Sequence, residues 1–445
     1  MRSLWEKEVA FNAFPKSEGD KKTDVLIVGG GMAGILCAHF LQKYGVEYCL
    51  VEAGKVAEGV TGHTTAKITS QHGLLYHEIA DRYGLEAAAR YYSANQEALD
   101  YYRMLCERIP CDFEEKDNFV YSVQKRLKLE RELSVLEKIH ADAGFKDNLP
   151  LPFGTCGAVC FPRQAQFHPL KFLAEITKNL NIYEHTKVIG FGACLGKTGA
   201  RKVLLSGGGT ILAKKIVIAT HFPMLNKHGA YFMKLYQHRS YVSALKGAPQ
   251  LPGMYVDEDK KGFSFRNAGD CLLLGGGSHR TGKQGGSYTE VRGAAERFYP
   301  GTKEVCRWAA QDCMSPDGIP YIGKYSKGSH NIYVATGFNK WGMTSAMTAG
   351  MLLADLVLEK RSEYKTLFSP SRPALTLQVA VNMGESLLGL LSFSKKRCPH
   401  LGCALKWNKE EHSWDCPCHG SRFGENGVLL NNPANDNLKK SVGKK

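Results

Sequence analysis

Residues 24–34 read Asp-Val-Leu-Ile-Val-Gly-Gly-Gly-Met-Ala-Gly, an apolar run that ends in three glycines and passes into small residues. So short a run, without polar alternation, predicts a parallel strand buried on both faces. Residues 32–44 then predict a helix and residues 47–52 a second strand, together a βαβ unit of about 30 residues. Gly29, Gly31 and Gly34 fit G-x-G-x-x-G inside that unit. The first glycine makes the tight turn, the second lets the backbone approach a pyrophosphate, and the third lets the helix pack closely on the sheet. Free N–H groups and the helix dipole favour an anion at that helix start. Glu52, 18 residues beyond Gly34, ends the second strand, where its carboxylate would accept hydrogen bonds from ribose hydroxyls. The glycines alone say little; between a strand and a helix, with the acid in place, they specify a dinucleotide site.

The chain has 445 residues, room for two to four domains. Residues 78–145 carry helical spacing, 211–220 a buried strand, 231–315 short β-type runs between Gly-rich turns, 332–336 a strand and 343–359 a helix. Residues 362–396 change character, with Pro370, Pro373, a short apolar piece at 386–391 and then Lys395-Lys396-Arg397, and read as a linker. The apolar piece reads as packed linker ahead of a membrane contact. The remaining residues hold four Cys and two Trp with little helical pattern, a small separate module.

The 14 Cys of the chain are about 3% of it, well below the roughly 8–10% of a disulfide scaffold. The first residues, MRSLWEKEVAFNAF, hold no signal-type apolar run, and no stretch of about 18 apolar residues predicts a spanning helix. The expected compartment is the cytoplasm, with most Cys as thiols or metal ligands. Cys398-x-His400 is followed after 15 residues by Cys416-x-x-His419, with Cys403 and Cys418 close by. Zinc ribbons usually pair C-x-x-C knuckles, whereas this chain has C-x-H and C-x-C-H. The pattern resembles a Rieske [2Fe–2S] centre. That resemblance implies that Cys398 and Cys416 hold one iron and His400 and His419 the other. It also implies that Cys403 and Cys418 form the disulfide tying the two cluster loops together. Ser421 stands where relatives hydrogen-bond the cluster, but Phe423 replaces the Tyr of high-potential centres, which implies a lower potential.

A second resemblance covers about residues 24–360. It rests on the N-terminal glycines, on Thr186-Lys187-Val188 before Ile216-Val217-Ile218-Ala219-Thr220, on Ser315-Pro316-Asp317-Gly318-Ile319-Pro320-Tyr321-Ile322-Gly323, and on Ala335-Thr336-Gly337-Phe338 through Gly342-Met343-Thr344. These segments resemble the glycine oxidase/D-amino acid oxidase family of FAD-dependent oxidoreductases. The implied fold is α/β: a Rossmann-like FAD-binding domain with an interleaved α+β substrate domain, plus a small all-β C-terminal Rieske module. The implied division is an arm over 1–22, the oxidoreductase over 23–365, a linker over 366–396 and the cluster module over 397–445. Within the oxidoreductase, FAD-binding segments fall at about 23–80, 160–225 and 315–365, and substrate-domain segments at about 81–159 and 226–314. The resemblance assigns FAD contacts to Gly29, Gly31, Met32, Ala33, Gly34, Glu52, Ala53, Thr61, Gly62, His63, Val188, Thr220, Gly337, Gly342, Met343 and Thr344. Some relatives bond FAD covalently through a His at the place of His63, and others only hydrogen-bond there; both readings stay open. The segments His238–Tyr241 and Gly275–His279 are implied to border the substrate pocket, with Tyr241, His279 and Lys340 as candidates for catalysis. His72 and His77 share the H-x4-H spacing of a mononuclear iron site but fall inside the flavin domain, which argues against that role.

The combination implies a dehydrogenase that oxidises a small amine, amino acid or related C–H substrate, its electrons passing from flavin to the Rieske cluster and on to an external acceptor. The alternative is an electron-transfer component that exchanges electrons with a protein partner and has no small organic substrate. The formal net charge of +15 fits an acidic redox protein, and no nucleic-acid motif accompanies it.

Overall fold

In the computed structural model, which describes residues 2–7, 9–195, 199–225, 228–373, 376–394 and 396–439, three sheets account for the architecture. The first has strand order Tyr321–Lys324, Ile332–Thr336, Thr210–Ile218, Lys21–Val28, Tyr48–Val51, Ile182–Tyr183. Its inner strands run parallel, with Val28 opposite both Ile218 and Val51 and Ile218 opposite Val334. The apolar run works as expected: Val25 to Val28 are all buried, because helix Met32–Lys43 covers one face and other apolar residues the other. Parallel strands end at a common edge, and a cleft opens there beyond Val28, Val51, Ile218 and Thr336.

The second sheet has nine strands, in the order Lys303–Met314, Tyr236–Lys246, Cys271–Arg280, Ser264–Ala268, Met254–Asp257, Glu114–Tyr121, Ala158–Gln166, Lys67–Ile68, with Gly144–Lys146 on Ala158–Gln166. Its segments alternate along the chain with those of the first sheet, so the two layers are interleaved. Two elements depart from the sequence reading. Strand Glu114–Tyr121 interrupts the helices Tyr76–Tyr83, Leu85–Cys106 and Arg126–Lys138; its Glu- and Lys-rich first half is solvated and masks a buried second half. Helix Tyr288–Phe298 interrupts the antiparallel region and starts where Ser287 Oγ accepts from Glu290 N (3.3 Å). The N-terminal arm is tied down: Trp5 is buried and its Nε1 donates to Thr64 O (2.7 Å).

The segment expected to be linker contains the helices Lys365–Phe368 and Leu377–Leu391. Arg372 within it pairs with buried Asp317 (2.8 Å), which pins the segment beside the first sheet. The C-terminal module is a four-stranded antiparallel sheet, Lys406–Asn408, Ser413–Asp415, Arg422–Gly424 and Leu429–Asn431, over a core of Cys398, Cys403, Leu405, Cys416, Cys418, Phe423 and Ala434. So small a core cannot stand alone cheaply. The module leans on the edge of the second sheet: Gln237 Nε2 donates to His419 O (3.2 Å) and Asn432 O (2.7 Å), and Gln311 Nε2 to Gly420 O (2.8 Å). Lys395, one of the three basic residues noted above, and the Lys-containing residues 440–445 lie outside the described residues.

Candidate functional site

The glycine turn is built as its spacing demands. Gly29 has φ of 112°, and a Cβ there would lie 2.6 Å from Ala219 O. A Cβ on Gly34 would overlap Gly29 O, so the helix closes on the turn only without one. Gly31 faces Thr61, whose Oγ1 accepts from Met32 N (3.1 Å). Glu52 accepts from Gly30 N (2.7 Å) and Gly54 N (2.8 Å), so its carboxylate holds the loop as well as facing the cleft. The cleft encloses about 860 Å³, a volume proper to a large cofactor plus a small substrate.

Of the expected FAD contacts, Gly29, Gly31, Met32, Ala33, Glu52, Ala53, Thr61, His63, Val188, Thr220, Gly337, Gly342 and Met343 line this cleft. Gly34, Gly62 and Thr344 stand behind the lining; Thr344 Oγ1 donates to Thr69 O (2.9 Å). The Gly59 carbonyl accepts from His63 Nδ1 (2.5 Å), and Trp308 Nε1 donates to the His63 carbonyl (2.9 Å). His72 and His77 do not converge. His72 lies 2.7 Å from the Tyr91 hydroxyl, while His77 pairs with Glu132 (2.6 Å). Lys67, which the sequence reading passed over, also lines the cleft, and burial beside Arg266 pushes its pKa down to about 7. Bare glycines for a pyrophosphate, an acid at the second strand and enough volume together fit a bound dinucleotide.

The far end of the cleft collects His238, Ser240, Tyr241, Ser278, Asp312, Lys340 and Trp341. Asn339 and Lys340 both hold positive φ, 51° and 72°, an expensive conformation for side-chain-bearing residues. Asn339 secures it by donating from Nδ2 to Gly318 O (2.9 Å) and Gly337 O (2.7 Å). Lys340 lines the cleft, where Nζ donates to Ser278 Oγ; desolvation by the surrounding protein lowers its pKa and Asp312 partly restores it. Burial raises the Asp312 carboxyl, partly offset by Lys340 and Arg239. Burial, with Lys340 nearby, lowers His238 to about 3, so its ring is neutral. Asp312 had no local sequence signal.

His279 departs from expectation. It does not line the cleft but stacks behind Tyr241, with ring centroids 5.8 Å apart. Alternation along Cys271–Arg280 sends Ser278 inward and His279 toward the cluster module. Tyr241 does reach the cleft, and its hydroxyl donates to Glu411 Oε1 (3.1 Å), a residue of the cluster module. Glu411 is clamped between Arg239, whose Nε donates at 3.1 Å, and Arg422, whose Nη2 donates at 2.9 Å.

In the module, two loops repeat one design. Cys398-Pro-His-Leu-Gly-Cys403 and Cys416-Pro-Cys-His-Gly-Ser421 share C-P-x-x-G. In each, the first Cys N–H donates five residues on (Cys398 to Cys403, 2.9 Å; Cys416 to Ser421, 2.8 Å), and the Gly N–H donates back to that Cys (2.9 Å in both). Gly402 and Gly420 hold φ of 81° and 90°, which closes the turns. The loops bring the sulfurs of Cys403, Cys416 and Cys418 within 4.8 Å of one another, and the His400 and His419 rings to 4.9 Å. The Cys403 and Cys418 sulfurs are thus neighbours, though not bonded to each other. His419 Nδ1 is buried without a hydrogen-bond partner, and burial lowers that ring to about 3, leaving the neutral form that ligates metal. Two thiolate and two imidazole donors on facing loops, one with an orphaned nitrogen, fit a His/Cys-ligated iron–sulfur cluster.

Comparisons with known proteins agree with both halves. The FAD dependent oxidoreductase (DAO) family matches residues 24–356, and the Rieske [2Fe-2S] domain matches residues 379–441. The chain is 34% identical to YhfW of Bacillus subtilis (strain 168), a protein named for a Rieske 2Fe-2S iron-sulfur centre, across 98% of this chain and 97% of that one. Among solved structures, glycine oxidase from Geobacillus kaustophilus superposes with a TM-score of 0.65 at 20% identity, covering 79% of this chain and 99% of that one. L-proline dehydrogenase from P. horikoshii does so with a TM-score of 0.65 at 17% identity, covering 79% and 98%.

Proposed function

Given that this chain belongs to the DAO family of FAD-dependent oxidoreductases and carries a Rieske [2Fe–2S] domain, we propose that it is a dehydrogenase for a small amine, amino acid or related C–H substrate that delivers electrons to an external acceptor through the Rieske module. The observation that supports this most is that the module forms a wall of the cofactor cleft. Leu429, Leu430, Asn431, Asn432 and Ala434 line it, and Ala434 N donates to Ser421 Oγ (3.0 Å) at the second cluster loop. When bound, FAD supplies a hydride acceptor and the cluster a one-electron carrier.

The chain's own residues prepare the site around these groups. Lys340, held in place by Asn339 and Ser278, presents a cation to an anionic group of the substrate. Asp312, with its carboxyl pKa raised, holds or takes a proton beside it. Neutral His238 accepts a substrate hydrogen bond without adding charge. Cys403 and Cys418 are assigned as the disulfide partners that join the two loops. The chain's charge of +15 favours an acidic redox protein as the acceptor.

Anaerobic mixing of the holoenzyme with amines, amino acids and 2-hydroxy acids tests the reading. One class should bleach the flavin, with the reduced-cluster EPR signal following. If every class fails while a reduced protein or pyridine nucleotide bleaches the flavin, the chain is an electron-transfer component instead.

A further inference from the structure

The helix Leu377–Leu391 is amphipathic the wrong way round for a water-soluble surface. Its polar and small stripe faces the protein. Asn382 Oδ1 accepts from Arg280 Nη1 (2.8 Å), Ser386 Oγ lies 3.3 Å from His419 Nε2, and Glu385 pairs with Lys283 (2.6 Å). Gly389 sits against Cys418 so closely that a Cβ would overlap the sulfur. The opposite stripe, Leu377, Val381, Leu388 and Leu391, faces water, flanked by Met383, Leu387 and Leu390. Leu377 is 87% exposed, Leu391 76%, and Phe393 just beyond the helix is fully exposed at 102%. Such a continuous apolar surface marks a binding face.

The charges say what covers it. The exposed stripe carries no acid, and the helix's one carboxylate, Glu385, is neutralised by Lys283. Cations close the helix end: Arg397 Nη1 donates to Leu390 O (3.0 Å) and to Gly402 O (3.1 Å) of the first cluster loop, and Lys396 lies over the Trp414 ring (4.4 Å). An apolar stripe with cations and an aromatic ring at its margin suits the surface of an anionic lipid bilayer, apolar side chains among acyl chains and cations at the headgroups. No helix of the described residues is long and apolar enough to cross a membrane, so the contact would lie in the membrane plane. We propose that helix Leu377–Leu391 with Phe393 docks this enzyme on anionic bilayers, setting the cluster module at the membrane surface. The docking does not depend on which substrate reduces the flavin.

Holoenzyme is spun with vesicles of phosphatidylglycerol and phosphatidylcholine, or of phosphatidylcholine alone. It should pellet with the anionic vesicles, less so at high salt. The Leu387→Ser, Leu391→Ser, Phe393→Ser combination should weaken partitioning at least about tenfold while keeping the flavin and cluster spectra. The single variant Phe393→Trp, at an exposed site that places no demand on folding, should show a blue shift in emission on anionic vesicles. Holoenzyme that stays in the supernatant with both vesicle types, and shows no shift, overturns the proposal. So does holoenzyme that ignores vesicles but dimerises through this stripe or binds an acidic protein with it. Substrate bleaching of the flavin is read separately, so either proposal fails alone.

Discussion

Glu411 is the residue on which the two halves of the molecule meet. It is nearly buried between Arg239 and Arg422, and it accepts the Tyr241 hydroxyl that also faces the cleft. Burial pushes its carboxyl up, but the two guanidiniums and their hydrogen bonds outweigh this and hold it below its usual 4.5. A depressed carboxyl contributes stability in full above its unfolded value and loses it as pH falls through the folded one. Thermal unfolding of the holoprotein should therefore show a loss beginning below about pH 4.5, with a shallower acid loss in Glu411→Gln. Glu411→Ala, which strands the buried Arg239 guanidinium while Arg422 keeps Asp415 (2.9 Å), should cost about 3–5 kcal/mol at neutral pH. Lys340 should set the pH dependence of substrate binding. Its pKa lies below the usual 10.5, so a substrate anion held by it should be released on the alkaline side before a free lysine would titrate. The KM should rise there in the wild type, and Lys340→Met should show a high, pH-independent KM in steady-state kinetics.

At the scale of elements, the strand–turn–helix at residues 21–43 was fully legible, because the burial of Val25–Val28 and the close approach at Gly34 are consequences of adjacent residues. Gly34→Ala should yield protein that lacks flavin absorbance yet keeps the cluster's EPR signal, since the Cβ overlaps Gly29 O and spreads the turn. Strand Glu114–Tyr121 was not legible: four charged residues precede its buried half, and no alternation marks it. The helix Leu377–Leu391 reads from the sequence as linker, with its apolar piece 386–391 packed, for the opposite reason. Pattern reading takes apolar stripes as inward, and here Asn382, Ser386 and Gly389 turn inward to the cluster module instead. His279 was assigned to the pocket with its strand, but the two-residue period of that strand sends it to the far side.

The whole molecule is a cleft with a cluster module for one wall, held by Gln237, Gln311, Arg280 and Glu411. Cys416→Ser should remove the cluster and leave the FAD bound. Its flavin should still bleach with substrate, while turnover with an external acceptor falls to background; iron content, visible spectra and acceptor-linked assays check each part. A variant that loses flavin and cluster together would show instead that the module is needed for the cleft to form. Gly282 gives a gentler probe of the same docking, since a Cβ there would lie 2.6 Å from Pro417 N.

The amino-acid sequence by itself determined which two cofactors this chain takes. Both recognition devices are local: a glycine turn between strand and helix, and two C-P-x-x-G loops whose hydrogen bonds close within five residues. Only the tertiary structure decided that the module carrying the second device walls the cleft opened by the first. The contacts that join them pair residues far apart in the chain, Tyr241 with Glu411 across 170 positions and Gln311 with Gly420 across 109. Such pairs leave no periodicity or spacing to read, because their proximity comes from how sheets stack and not from how neighbours turn.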